Sequence, residues 1–395
     1  ANNTSEFTAN IRAGNERVLK ARLADAAFFY REDRKTTLEE KTPLLKNIVF
    51  QEGLGSLWEK TLRIRDLAGS LGKIICLKEE EEEILLRAAM LSKADLVTSM
   101  VYEFPELQGV MGREYALASG EKDGVAAAIY EHYLPRFAGD VLPVTLPGAI
   151  LSLVDKLDNI TAAYMLGKEP TGSQDPLALR RQALGIVHIL SGWEFALDLK
   201  GFLGQAYDRL DWDAGTAVQD RAKTVAAVWD FILQRIKYVL LDKGLRYDVV
   251  DAILTADCRD VRLIINRVHV LQKIIGEKFL QDLLIALTRV ANLAAKAPEN
   301  SRVDPNLLEE KEEKDLYQFF LDLVTKEEEK LAAEDFQGFL ALGASIMPYV
   351  NNFFDQVMVM VEDARLRQNR LALLSEINTF FRREVDLSKI VQPQA

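Results

Sequence analysis

Cysteine is nearly absent from this 395-residue chain, which has only Cys76 and Cys258. Two cysteines so far apart exclude a disulfide framework, and neither sits in a CxxC or Cys/His run of the kind that holds zinc. A reducing intracellular compartment is the plain expectation. Histidine is as scarce: His132, His188 and His269 are scattered, none beside a pair of carboxylates, so histidine-based metal or nucleophilic catalysis is poorly supplied. The 22 glycines and 11 prolines fall well below the usual combined share of about 12%. That excludes turn-rich sandwiches and collagen-like repeats and favours a mostly helical chain. No stretch approaches the ~18 uninterrupted apolar residues of a membrane span. The opening Ala1-Asn2-Asn3-Thr4-Ser5-Glu6 has neither an initiator Met nor a signal-peptide core, and the chain reads as a piece of something longer.

What is present is an acidic sequence, net charge −11 and 49% hydrophobic, long enough for two or three cores. Over 17–30 the apolar residues Val18, Leu19, Leu23, Ala26, Ala27 and Tyr30 recur at spacings of three and four, while Arg22, Asp25 and Arg31 fall elsewhere on the wheel. That spacing predicts an amphipathic helix. The same patterning predicts helices over 57–71, 84–101, 124–133, 148–166, 175–190, 219–241, 247–256, 261–278, 282–297, 314–330, 335–345 and 350–383. Alternating strand patterns and fixed-period repeats are both lacking, so the expected fold class is all-α. Asp386-Leu387-Ser388 is expected to cap one last short turn.

Punctuation falls at a loop over 167–173 and at a polar stretch over 297–305. The expected domains are an N-terminal helical segment (1–55), a helical domain (56–167), a helical body (168–280) and a C-terminal helical bundle (281–395). Charge is unevenly placed along them. Five glutamates stand in a row at 79–83, and 309–315 carries five acidic residues against Lys311 and Lys314. Residues 364–395 instead hold six basic side chains (Arg365, Arg367, Arg370, Arg382, Arg383, Lys389) against Glu376, Glu384 and Asp386. An acidic protein with a locally basic face can still bind phosphates.

Three groups of residues invite a chemical reading. The run Ala88-Ala89-Met90-Leu91-Ser92-Lys93 resembles the central helix of HD-type domains, with Ser92-Lys93 where the His-Asp pair would stand. Lys60 occupies the place of that family's first histidine, and Asp155-Lys156-Leu157-Asp158 resembles the helix bearing its last metal-ligand Asp. An ammonium repels a divalent ion, so the resemblance implies a degenerate HD-like domain over 56–167 with no metal. The rival enzyme reading, an HD-type nucleotide phosphohydrolase, lacks its ligands. Second, Asp175 can cap a helix with Pro176 at its first position, placing Arg180 and Arg181 one turn in. An exposed helix start that meets an RNA phosphate and a closed loop with solvated arginines both fit. Third, Phe353, Val357 and Met360 or Val361 read as one apolar helical face, followed by Arg365, Arg367 and Arg370. Those side chains supply the forked donors that hold phosphates and splayed bases.

Longer strings then point to one family. They include Arg12-Ala13-Gly14-Asn15-Glu16-Arg17-Val18-Leu19, Glu103-Phe104-Pro105-Glu106-Leu107-Gln108-Gly109-Val110-Met111-Gly112 and His132-Tyr133-Leu134-Pro135-Arg136-Phe137-Ala138-Gly139-Asp140. On these, essentially the whole chain resembles the C-terminal part of the beta subunit of bacterial two-subunit glycyl-tRNA synthetases. From about Leu284 it is similar to the helical anticodon-binding domain shared with arginyl-tRNA synthetases, through Arg289-Val290-Ala291-Asn292-Leu293, Phe353-Phe354-Asp355-Gln356-Val357 and Asn369-Arg370-Leu371. The resemblance implies a noncatalytic, cytoplasmic, tRNA-recognising part of a glycine-tRNA ligase. Its partners would be glycine tRNA and the alpha subunit, which activates glycine with ATP and Mg; no cofactor would be held in this chain, and the family's N-terminal domains would be missing. Arg365, Arg367 and Arg370 would hold the anticodon arm, with Arg289, Asn292 and Asn352 secondary and Arg180 and Arg181 candidates elsewhere. A helical scaffold that ignores RNA is the remaining alternative.

Overall fold

A computed structural model describes residues 8–298 and 301–391. Contacts gather the chain into two units, 1–232 and 233–395, whereas the sequence reading places boundaries at 55, 167 and 280. Among the described residues there are helices and two isolated bridges. None of the helices is long and apolar enough to cross a membrane.

In chain order the first unit contains α1 (Thr8–Asp33), α2 (Leu38–Lys41), α3 (Leu57–Ile74), α4 (Glu79–Leu91), α5 (Ser99–Glu103), α6 (Val110–Ala118), α7 (Asp123–Glu131), α8 (Leu146–Met165), α9 (Leu179–Trp193) and α10 (Leu199–Tyr207). Its core is built around α8, which packs on α3, α4, α7, α9 and α10. Thr145 caps α8, its hydroxyl accepting from the Gly148 N–H at 3.1 Å, and Pro147 lies in the first turn. Only Leu146 and Asn159 of this helix escape full burial. A helix wrapped on all sides must pair whatever polar groups it carries, and that requirement shapes the site below.

The pattern expected as one helix over 84–101 is three pieces: α4, a 3-10 turn Ala94–Val97, and α5. A fresh N-terminus is made at α5, where the Thr98 hydroxyl accepts from the Val101 N–H at 3.3 Å. The buried Asp33 carboxylate accepts from the Ser99 and Met100 N–H groups and the Tyr115 hydroxyl, each at 2.9 Å. The two N–H groups would be bonded within the helix if it ran on.

Helix α11 (Arg221–Asp242) contains the division between the units, and α12 (Tyr247–Leu254), α13 (Val261–Ile274), α14 (Lys278–Ala294), α15 (Lys311–Ala332), α16 (Phe336–Ala344), α17 (Met347–Gln356) and α18 (Ala364–Glu384) follow. In the second unit α14 packs along α18, and α15 along α16 and α17. The core carries an aromatic knot in which Phe380 stands edge-on to both Phe320 and Phe381, with ring centroids 5.6 and 5.1 Å apart. Gly343 lets α16 approach it, since a Cβ there would lie 2.5 Å from the Phe381 ring. As expected, Asp386 caps a final short turn, Leu387–Lys389. Of the polar stretch expected at 297–305, Glu299 and Asn300 lie outside the described residues.

The helix expected over 350–383 is two helices, α17 and α18, and the apolar helical face drawn through Phe353, Val357 and Met360 or Val361 does not exist. Val357 is extended (φ −110°, ψ 120°), and burial then alternates: Val357 and Val359 inward, Met358 and Met360 outward. That is the period of an extended segment. Asp363 starts α18 by accepting from the Arg365 and Leu366 N–H groups at 2.8 and 3.2 Å.

Candidate functional site

The C-terminal candidates divide by where their guanidinium groups go. Helix α14 buries Leu280, Leu283, Leu287 and Val290, a spacing that turns Arg289 and Asn292 outward on one face. Arg289 lies over the Phe354 ring, 4.5 Å from its centroid, and reaches the Asn351 Oδ1 at 3.4 Å. Asn352 is exposed beside it in sequence. The packing of α14 on α17 thus assembles a cation, an aromatic ring and two neighbouring amide side chains on one surface. Sequence reasoning found Arg289, Asn292 and Asn352 but not the roles of Asn351 and Phe354.

Arg365 is exposed at the start of α18, and its side chain makes no hydrogen bond or ion pair among the described residues. Arg367 is half-buried and folds back to donate to the Val361 carbonyl at 2.8 Å and the Glu362 carbonyl at 3.3 Å. Arg370 departs from the expected phosphate-facing position. It is 5% exposed, pairs through Nε with the buried Glu313 carboxylate of α15, and donates from a terminal nitrogen to the Met358 carbonyl at 2.9 Å. Five residues of helix separate an exposed arginine from an arginine that holds the 357–363 segment to the core. Met358 and Met360, 73% and 50% exposed, are the apolar side chains that segment offers to solvent.

In the first unit, Arg180 and Arg181 do not project from a helix that starts at Pro176. Ala178 takes a left-handed conformation (φ 53°), α9 begins at Leu179, and the Asp175 carboxylate reaches across to accept from the Leu179 and Arg180 N–H groups at 2.8 and 2.9 Å. Arg180 is spent on its own loop, donating to the Gly172 carbonyl at 2.8 Å. Arg181 is exposed and borders an open cavity.

The positions that resemble the HD-type metal centre do come together, as a buried ionic cluster. Lys60 and Arg63, one turn apart on α3, meet Asp155 and Asp158, one turn apart on α8. The Lys60 ammonium lies 2.8 Å from Asp158 Oδ2 and 3.1 Å from Asp155 Oδ1, and Arg63 Nε lies 2.9 Å from Asp158 Oδ1. Lys93 comes from the turn after α4 and places its ammonium 3.1 Å from Asp155 Oδ2 and 2.9 Å from His132 Nε2. Ser92 is buried, and its hydroxyl donates to the Ala89 carbonyl. The His132 Nδ1 is 2.6 Å from the Ile129 carbonyl, an arrangement that keeps the proton on Nδ1 and leaves the Nε2 lone pair to Lys93.

Electrostatics follow from this packing. Burial would raise the Asp155 and Asp158 carboxyls, but Lys60 acts on both, with Lys93 on Asp155 and Arg63 on Asp158, and the net effect holds both below the usual carboxylate range. Burial, then the Lys93 charge, pushes His132 well below its ordinary value, so the ring is neutral. Burial also lowers Lys93 against the pull of Asp155, and brings Lys156 down to about 7. Two ammonium groups occupy the carboxylate oxygens that a divalent ion would need, and no three His, Cys, Asp or Glu side chains converge as a metal site among the described residues. These residues do not fit a metal.

Comparison with known proteins gives this geometry its context. The family model described as the glycyl-tRNA synthetase beta subunit matches residues 1–255, and that described as the DALR anticodon binding domain matches residues 283–394. The chain is similar to the glycine–tRNA ligase beta subunit of Desulforudis audaxviator, 46% identical over 388 residues that cover 98% of this chain and 56% of that protein. It is equally similar to that of Clostridioides difficile, 46% identical over 385 residues, 97% of this chain and 55% of that protein. The chain spans about half the length of the curated relatives it matches. With a beta-subunit match over its first 255 residues and an anticodon-binding match over its last helices, the chain belongs to the glycyl-tRNA synthetase beta-subunit family.

Proposed function

We propose that this chain is the tRNA-recognition part of a glycyl-tRNA synthetase beta subunit, whose C-terminal bundle takes the anticodon arm of glycine tRNA while an alpha subunit carries the attachment of glycine with ATP and Mg. The observation that carries this reading is the surface of the exposed Arg289, Asn292, Asn351 and Asn352 and the half-buried Phe354, set in the segment that matches an anticodon-binding domain. A guanidinium over an aromatic ring, amide side chains beside it and Arg365 on a nearby part of the sequence are the groups that grip phosphates and the edges of unstacked bases. Arg367 and Arg370 shape the 357–363 segment instead of facing RNA, and no cofactor is assigned to this chain. An HD-type phosphohydrolase finds no support in a cluster whose carboxylates are filled by Lys60, Arg63 and Lys93.

Equilibrium binding to glycine tRNA and to the same tRNA with a changed anticodon, at two salt concentrations, tests the reading. Preference for the glycine anticodon with affinity falling as salt rises supports it, because neutralised phosphates release counterions. Equal or salt-independent binding refutes it.

A further inference from the structure

Beside the ionic cluster of the 1–232 unit lies an open cavity of about 460 Å³, a size that admits a small ligand. Lys93, His132, Tyr133, Asp155 and Lys156 form its buried part, and the exposed Arg136 and Arg181 border it. Asp155 is already neutralised by Lys60 and Lys93. Lys156 has no carboxylate partner: its ammonium donates to the Ser152 hydroxyl at 2.6 Å and the Leu134 carbonyl at 2.8 Å, with the His132 carbonyl at 3.5 Å, all neutral. The Tyr133 hydroxyl is buried without a hydrogen-bond partner. Arg136 uses its Nε on Asp140 at 3.2 Å, and its terminal nitrogens make no hydrogen bond or ion pair among the described residues; Arg181 bonds to nothing among the described residues. The cavity therefore has an excess of donors and of positive charge, with Glu106 as the one other carboxylate on its lining. Buried cations and donors of this kind are stabilised by an anion with several oxygens.

We propose that this cavity binds a phosphate group, with Lys156 and the Tyr133 hydroxyl approaching it from the buried side and Arg136 and Arg181 from the rim. The phosphate belongs either to a free nucleotide or to an RNA backbone; the chemistry is shared, and the test separates them. The proposal is independent of the anticodon-arm reading, which concerns the other unit.

The test is calorimetric titration of the intact chain, at low salt, with inorganic phosphate, AMP and an unstructured RNA hexanucleotide. Saturable phosphate binding is expected, weakened by about five- to tenfold in Arg181→Glu, the effect of reversing one solvent-exposed charge near an anion. Because Arg181 is exposed, its variant keeps the fold, which circular dichroism verifies; Lys156→Met serves as the second, buried variant. Displacement of the hexanucleotide by phosphate assigns the site to RNA, and binding of phosphate and AMP without the hexanucleotide assigns it to a nucleotide. No saturable binding of phosphate, or full phosphate affinity in a folded Arg181→Glu, overturns the proposal. Glycine-tRNA affinity measured in parallel with Arg289→Glu shows which of the two readings has failed.

Discussion

Arg370→Met separates a structural arginine from an RNA-binding one. The wild-type guanidinium is 6% exposed and faces a Glu313 carboxylate that is 1% exposed. Removing one partner of a buried ion pair costs about 3–5 kcal/mol, because the other charge stays buried. Glu313 would not be left bare: its other oxygen accepts from the Glu309 and Glu310 N–H groups at 2.7 and 3.0 Å. The loss should therefore sit near the lower end, about 3 kcal/mol, and includes the bond to the Met358 carbonyl. With a urea dependence of about 1–3 kcal/mol per M, the unfolding midpoint should fall by roughly 1–3 M. All four tryptophans lie between residues 58 and 229, so the shift is read in far-UV circular dichroism, which sees the helices of both units, against tryptophan fluorescence, which follows the 1–232 unit. The reasoning is refuted if the midpoint stays within about 0.3 M of wild type, or if tRNA affinity falls while the midpoint does not move.

The other predictions concern binding, pH and packing. Arg289→Ala and Arg365→Ala should each weaken tRNA binding without shifting the urea midpoint, and each should reduce the slope of log affinity against log salt by up to about 0.9; unchanged slopes would remove both from the interface. Lys156, held at about 7 against an ordinary value of 10.5, binds fewer protons folded than unfolded between those pH values, so its contribution to stability should rise by about 1.4 kcal/mol per pH unit from pH 7 towards pH 10. The groups facing it are Asp155 of its own helix, Lys93, the Ser152 hydroxyl and the Leu134 and His132 carbonyls. Denaturation of wild type and Lys156→Met across this range should show the slope lost in the variant, and parallel curves would contradict it. Gly343→Ala places a methyl group 2.5 Å from the Phe381 ring and should destabilise by about 1–3 kcal/mol through overpacking, read as a lowered melting temperature; an unchanged one would mean that α16 shifts freely.

Much of the fold was legible in the chain, and for a physical reason: helical periodicity and capping act within a few residues. The periodicity over 282–297 predicted α14, and Asp386 stood out as the cap of its turn. The breaks at 92–98 and 357–363 were not legible. Each depends on groups brought from far along the chain: Asp33 onto α5 in one case, and in the other Glu313, 57 residues away, which holds the Arg370 that donates to the Met358 carbonyl.

The family, the helical class and the absence of histidine at Lys60 and Ser92, positions that resemble an HD-type metal centre, were determined by the sequence alone, because residue identity is enough to say that an ammonium cannot hold a cation. What replaces those ligands was decided only by tertiary structure. Lys60 meets Asp158 across 98 residues of chain and Arg370 meets Glu313 across 57. Whether an arginine faces water or a buried carboxylate depends on which helix packs against it, and no local pattern encodes that choice.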